Sequence, residues 1–339
     1  MKKLHKFLLI LGIILLVIGA FGTVLNFIPP KPAVEGVNPW RKTDQTLISA
    51  HRGGANLNPE NTKKAFDYVI KDTSYTDLIE IDVRLTLDEK LVIIHDETIN
   101  RTGILDTDDN PETVEGTPIV ISETNYEDLL SYNLGVNFKK DNEKIYKDLT
   151  PEQASAQGLT IMLFEDFLKE YQNYDVKLLL EIKDKKELGK KAVDTAEKII
   201  REQYPSWNDR TMIISFSTDV INHVLKNYPD RYVAGMGFNM VGFLIGSVLG
   251  IDALFDVRYQ SVQSSMITTA GPISIDCATQ NFVDSAHARN QCVAFWTINE
   301  EADMRYLISL GVDAITTNSP DLLGEVLGKD LTTPRAPKN

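Results

Sequence analysis

LIEIDVRLTLDEKLVIIHD, residues 78–96, contains two runs that read as strands, LIEIDVRL (78–85) and LVIIHD (91–96), joined by a charged turn. In the first run Glu80 and Asp82 stand two apart among Leu78, Ile79, Ile81 and Val83. Alternate residues of a strand share a face, so both carboxylates point the same way. The apolar neighbours argue that this face is buried. Two carboxylates driven into a core repel and are costly to bury. A divalent cation between them removes that cost, as would a solvated strand edge. The second run ends on His95 and Asp96, which places a histidine at the carboxyl end of a buried strand.

The same grammar recurs along the chain. Further strand candidates are TLISAH (46–51), KLLLEIK (177–183), TMIISFS (211–217), YVAGMGF (232–238), CVAFWTIN (292–299) and DAITTN (313–318). Amphipathic stretches at 61–71, 185–203, 218–227, 279–289, 300–310 and 320–327 read as helices. Strand followed by helix, many times over, implies a parallel sheet with helical crossovers. Residues 45–330 suit one closed (β/α)8 barrel better than two domains. A doubly wound open sheet is the alternative that periodicity leaves standing. Residues 97–160 break the alternation and are rich in Asp, Asn, Glu and Thr. They read as an insertion after the second strand region, with short helices such as 126–130. The apolar stretch 240–254, with glycines at 242, 246 and 250, reads as a barrel helix, a buried loop or a lip that touches lipid.

Residues 7–28, FLLILGIILLVIGAFGTVLNFI, are almost wholly apolar and stop at Pro29 and Pro30. About 20 such residues span a bilayer as a helix. Lys2, Lys3 and Lys6 precede the run and favour a cytoplasmic amino terminus. The expected organisation is a membrane anchor over 1–29, a linker over 30–44, the barrel over 45–330 and a tail over 331–339. The protein is then a single-pass cell-membrane protein with an extracytoplasmic body, or a secreted one if the segment is a cleaved signal peptide.

The formal charge is −13, from 35 basic and 48 acidic residues. So acidic a body lacks the basic footprint that nucleic acid requires. It suits divalent cations, which take carboxylate oxygens. Cys277 and Cys292 form no metal cluster, and in an oxidising compartment they could pair.

Other residues carry chemistry in their setting. His51 can move a proton near neutral pH, and Arg52 beside it can clamp a phosphate. Gly53 and Gly54 let the backbone approach a ligand. In NPENT (58–62), Asn61 reads as a helix cap, and Glu60 as a first-turn charge, a metal ligand or a hydrogen-bond partner in the site. Glu181 and Lys183 repeat the two-apart geometry, so one can complete a metal site while the other neutralises phosphate. Trp296, at a strand end, can pack on a carbon skeleton.

HRGGANLNPENT (51–62), EIDVRLTLDEKLVIIHDETINRTG (80–103), LLLEIKD (178–184) and FWTIN (295–299), in this order, resemble the glycerophosphodiester phosphodiesterase family, as does the closing GVDAITTNSPD (311–321). The resemblance implies a TIM barrel with an insertion, and hydrolysis of glycerophosphodiesters to sn-glycerol 3-phosphate and an alcohol. It implies one divalent cation, Ca²⁺ or Mg²⁺, on Glu80, Asp82 and Glu181. It implies His51 and His95 as acid and base. Arg52, Glu60 and Lys183 match phosphate or substrate positions, and Trp296 matches an aromatic that meets the substrate. Rival expectations are phospholipase D-like action on lysophospholipid or sphingolipid, degradation of a teichoic-type polyglycerolphosphate, and a barrel that binds without turnover.

Overall fold

Eight short strands close into a parallel barrel. In chain order they are β1 (Leu47–Ala50), β2 (Leu78–Leu85), β3 (Lys177–Ile182), β4 (Thr211–Ile214), β5 (Tyr232–Gly235), β6 (Ser261–Ser264), β7 (Cys292–Phe295) and β8 (Ala314–Thr317). Each pairs in parallel with the next, and β8 pairs with β1. That ring excludes the open doubly wound sheet. The computed structural model describes residues 31–41, 44–107, 117–249, 259–270 and 273–338, with Gly12 apart from them.

Strand parity explains both surfaces of the barrel. Leu47, Leu78, Leu179, Met212, Ala234, Cys292 and Ala314 come from seven strands yet form one buried cluster. Only side chains aimed at the barrel axis meet in this way. Trp40, from the segment before β1, joins them and is 1 % exposed. The other parity faces outward. Ile79, Ile81, Leu178 and Leu180 pack with Phe66, Val193 and Val220, while Val293, Phe295 and Ile315 pack with Phe282, Leu307 and Leu323. These partners sit on the helices Lys63–Asp67, Lys186–Lys198, Thr218–Asn227, Gln280–His287, Glu301–Ser309 and Pro320–Val326. Thr62 and Thr279 start two of them by accepting from the backbone N–H three residues on, the N-cap bond that satisfies an orphan donor.

β2 is the longest barrel strand and runs past the barrel rim. Its last residues pair antiparallel with Leu91–Ile93, which in turn pairs with Met162–Leu163. Between these two short strands the chain builds a separate layer. It holds the turns Asn100–Gly103, Ile121–Glu123 and Tyr126–Leu129 and the helix Pro151–Ala156. Val92, Ile94, Ile99, Ile121, Leu129, Leu134 and Ile161 give it a core of its own. A hairpin, Ile267–Ala270 with Ile273–Asp276, follows β6. The apolar stretch in the 240s forms the helix Val241–Leu249, with Phe243 and Leu244 buried and Phe243 edge-on to Phe282 at 5.2 Å. Cys277 and Cys292 are both buried and free.

The expectation of a transmembrane helix, and with it a membrane partner and a cell-membrane location, is corrected. Among the described residues no helix is long and apolar enough to cross a membrane. Crossing takes about 20 apolar residues. The longest described α-helix, Lys186–Lys198, has 13 residues and carries lysines and glutamates along its length. The expected anchor at 1–29 lies outside the described residues apart from Gly12.

Candidate active site

At the carboxyl ends of the strands the inward parity changes character. β2 runs Leu78, Glu80, Asp82; β3 runs Leu179, Glu181 and, one residue past its end, Lys183; β1 runs Leu47, Ser49 and then His51. Parallel register sets Asp82 beside Glu181 and Ala50 beside Ile79, which brings His51 next to Glu80. The apolar lower layer thus carries a charged upper layer, at the end of a barrel where loops can build a site.

Glu80, Asp82 and Glu181 are buried, and one oxygen from each lies within 4.8 Å of the others. Glu80 Oε1 and Asp82 Oδ1 have no hydrogen-bond partner among the described residues. Burial, and then Asp82 and Glu181, push the Glu80 carboxyl well above its ordinary range. Burial and Asp82 likewise raise Glu181. Burial would raise Asp82 too, but Arg52 and Lys183 outweigh it and hold that carboxyl low. Orphaned carboxylate oxygens turned on one another are what a cation relieves. An all-oxygen donor set suits a hard divalent ion. The three residues therefore fit such an ion.

The cationic side chains surround this cluster. The Arg52 backbone N–H donates to Glu80 Oε2 at 2.8 Å. Its guanidinium donates to Glu60 at 3.0 Å and lies 3.3 Å from Asp82. Arg52 has φ 52°, a left-handed conformation that costs a non-glycine residue energy and is held here by those bonds. Gly53 follows at φ 82°, and a Cβ there would meet Ala65 and Phe66 at 3.0 Å. Lys183 Nζ donates to Glu181 at 2.7 Å and lies 3.6 Å from Asp82.

Each histidine has one ring nitrogen engaged. His51 Nδ1 lies 2.6 Å from Asn318 Oδ1, which leaves Nε2 toward Glu80 at 3.9 Å. Burial, and then Arg52, lower the His51 pKa to about 4. His95 Nδ1 lies 2.7 Å from Asp96 Oδ1. Both rings line one cavity of about 120 Å³ with Arg52, Glu80, Glu181 and Lys183. Trp296 and Phe216 close its apolar side, edge to face at 5.5 Å.

Eight of the nine sequence-derived site residues therefore converge, with Asp82 buried just beneath the cavity. Glu60 stands behind them, its carboxylate gripped by Arg52 and by Arg101. Sequence reasoning missed four partners. Asn318 and Arg101 lie within the quoted stretches 311–321 and 80–103, but neither residue type nor spacing assigned them a role. Asp96 stood in plain view beside His95. Asn61 reads as a helix cap, yet its amide donates to Asp82 at 2.9 Å while Thr62 caps the helix.

Comparison with known proteins follows this geometry. The glycerophosphoryl diester phosphodiesterase family model matches residues 51–322. A glycerophosphodiester phosphodiesterase of Bacillus altitudinis is 26 % identical over 284 residues, covering 81 % of this chain and 96 % of that one. A glycerophosphoryl diester phosphodiesterase structure from Silicibacter pomeroyi superposes with a TM-score of 0.63 at 20 % identity, covering 88 % of this chain and 100 % of that one. An Oleispira antarctica phosphodiesterase, in complex with the product sn-glycerol-3-phosphate, superposes with a TM-score of 0.60 at 18 % identity, covering 84 % and 98 %.

Proposed function

This chain belongs to the glycerophosphoryl diester phosphodiesterase family and is a hydrolase of glycerophosphodiesters, and we propose on that premise how its own residues yield sn-glycerol 3-phosphate and an alcohol. The observation that carries the reading is the convergence of three buried carboxylates, two of them with orphaned oxygens, on a cavity that two histidines share.

Glu80, Asp82 and Glu181 would hold a divalent cation, Ca²⁺ or Mg²⁺, which when bound would supply positive charge to offset that of the phosphate. Arg52 and Lys183 hold the remaining phosphate charge, which the buried setting strengthens. Asn318 accepts from His51 Nδ1–H, so His51 Nε2 carries a lone pair into the cavity and takes the proton of the attacking hydroxyl. Asp96 accepts from His95 Nδ1–H and turns Nε2 of that ring inward, where it protonates the departing alkoxide. The attacking hydroxyl is that of a water, which gives sn-glycerol 3-phosphate directly, or the glycerol's own, which gives a cyclic phosphate that a water then opens to sn-glycerol 3-phosphate. Trp296 and Phe216 cover the carbon skeleton and keep water from that side.

The test is release of sn-glycerol 3-phosphate from glycerophosphocholine and glycerophosphoethanolamine with Ca²⁺, with Mg²⁺ and with excess chelator. Release is expected with one or both ions and is lost in chelator. Undiminished release in chelator ends the cation assignment, and no release under any condition ends the functional reading.

A further inference from the structure

Arg101 lies outside the barrel, on the short turn Asn100–Gly103 of the inserted layer. Its guanidinium uses three nitrogens on two carboxylates. Nη1 and Nη2 donate to Glu60 Oε2 and Oε1 at 3.1 and 2.6 Å. Nε donates to Asp96 Oδ2. Those carboxylates have other duties. Asp96 Oδ1 holds His95 Nδ1 at 2.7 Å, and Glu60 Oε1 holds Arg52 Nη1 at 3.0 Å. One planar fork thus ties together two chains of contacts that end in the catalytic cavity, one on a histidine and one on a phosphate arginine.

The arginine's own base is rigid. Asn137 Nδ2 donates to the carbonyls of Arg101 and Ile104 at 2.8 and 2.7 Å. Ile99, just before the turn, is fully buried in the core of the inserted layer. Gly103 leaves so little room that a Cβ would meet Ile99 at 3.1 Å and Tyr132 at 3.2 Å. The layer therefore presents Arg101 in one place.

We propose that Arg101 is a positioning residue, through which the inserted layer aligns His95, by way of Asp96, and Arg52, by way of Glu60. The inference rests on the functional reading above. Without Arg101, Asp96 loses the bond that fixes its rotamer, and the His95 ring loses its direction. Glu60, left with one cation, draws Arg52 toward itself and away from the phosphate. A displacement of about 1 Å at reacting groups costs on the order of 10²-fold in rate. Lysine cannot replace the fork, since a point charge does not span two carboxylates in one plane.

The two arms give separable signatures. Asp96→Asn is expected to lower kcat with KM little changed, and Glu60→Gln to raise KM. Arg101→Ala is expected to do both, with kcat reduced roughly 10–100-fold. Residues that act through one network are non-additive, so Asp96→Asn added to Arg101→Ala should cost little further kcat, and Glu60→Gln should cost little further KM. Free guanidinium at sub-denaturing concentration should restore part of the activity of Arg101→Ala and none to the wild type. Arg101→Gln, close in length, serves if Arg101→Ala fails to fold. Wild-type kcat and KM in a folded Arg101 variant, or fully multiplicative double mutants, overturn the positioning role while leaving the functional reading intact. An inactive wild type strikes the functional reading itself.

Discussion

Two buried ionic clusters in this molecule are built from the same side-chain types and are balanced differently. Outside the barrel, Glu197 receives Arg231 at both oxygens and Arg201 at one. Arg231 also donates to Asn208 through both terminal nitrogens, at 2.6 and 2.9 Å. Glu197 is 0 % and Arg231 1 % exposed, and neither has an orphaned side-chain atom. At the mouth of the barrel, Glu80, Asp82 and Glu181 face Arg52 and Lys183, and two carboxylate oxygens go without a hydrogen bond, one of them, Asp82 Oδ1, with Lys183 Nζ at 3.6 Å. Burial of charge is common to both, so burial alone does not mark a site. Several carboxylates buried together with oxygens that lack hydrogen bonds do, because their mutual repulsion is relieved only when a cation completes them; Asp321 Oδ1 also lacks a hydrogen bond but stands outside that cluster.

The comparison breaks most readily on activity. His95→Ala should lower turnover by roughly 10²–10⁴-fold, the usual worth of a proton-transfer group, with a circular-dichroism spectrum like that of the wild type. Near-normal turnover on glycerophosphocholine would remove His95 from the reaction. Next comes the balanced cluster. Glu197→Ala leaves Arg231 buried without its main partner and should cost about 3–5 kcal/mol in urea unfolding. The fraction that remains folded should keep wild-type kcat. Loss of activity beyond the loss of folded protein would show that the two clusters are not independent.

Cation binding sharpens the contrast at smaller scale. Ca²⁺ or Mg²⁺ at 100 times its Kd should stabilise the wild type by about 2.7 kcal/mol, seen as a rise in Tm. Glu80→Gln should abolish most of that rise, whereas Arg201→Gln at the other cluster should preserve it. An equal shift in both variants would place the ion elsewhere. The smallest effect belongs to a surface of neither cluster. Thr150 and Gln153 form a reciprocal capping box at the helix Pro151–Ala156. Thr150→Ala should cost about 1 kcal/mol, with no change in kcat or in the cation-induced shift.

The strands with apolar cores were legible because parity and burial are written locally: LIEIDVRL is β2 residue for residue. β6 was not legible. Its sequence is Ser-Val-Gln-Ser: Ser261 stands in register with Ala234 and Cys292, Gln263 lines the cavity, and Val262 is its one apolar residue, packed toward the helices. The helix Phe164–Tyr171 was missed beside a two-residue strand, where Phe164, Phe167, Leu168 and Tyr171 are buried on one face. Helix ends were predicted up to two residues long, except at 71 and 203, where the α-helix ends at Asp67 and Lys198 and the chain continues as a π-helical turn; strand ends were up to four long, because an apolar run continues into the loop after backbone pairing stops, as Phe295-Trp296 does.

For the strands with apolar cores, the sequence by itself determined which side chains enter the barrel and in what order, because alternation along a strand is a property of the covalent chain. Glu80, Asp82, Glu181, Lys183 and His51 follow from it directly. Only the tertiary structure decided who holds them. Asn318 reaches His51 across 267 residues, and Arg101 reaches Glu60 across 41. Ring closure and the packing of the inserted layer set those encounters, and no local pattern encodes a contact that exists only once distant segments have been brought together.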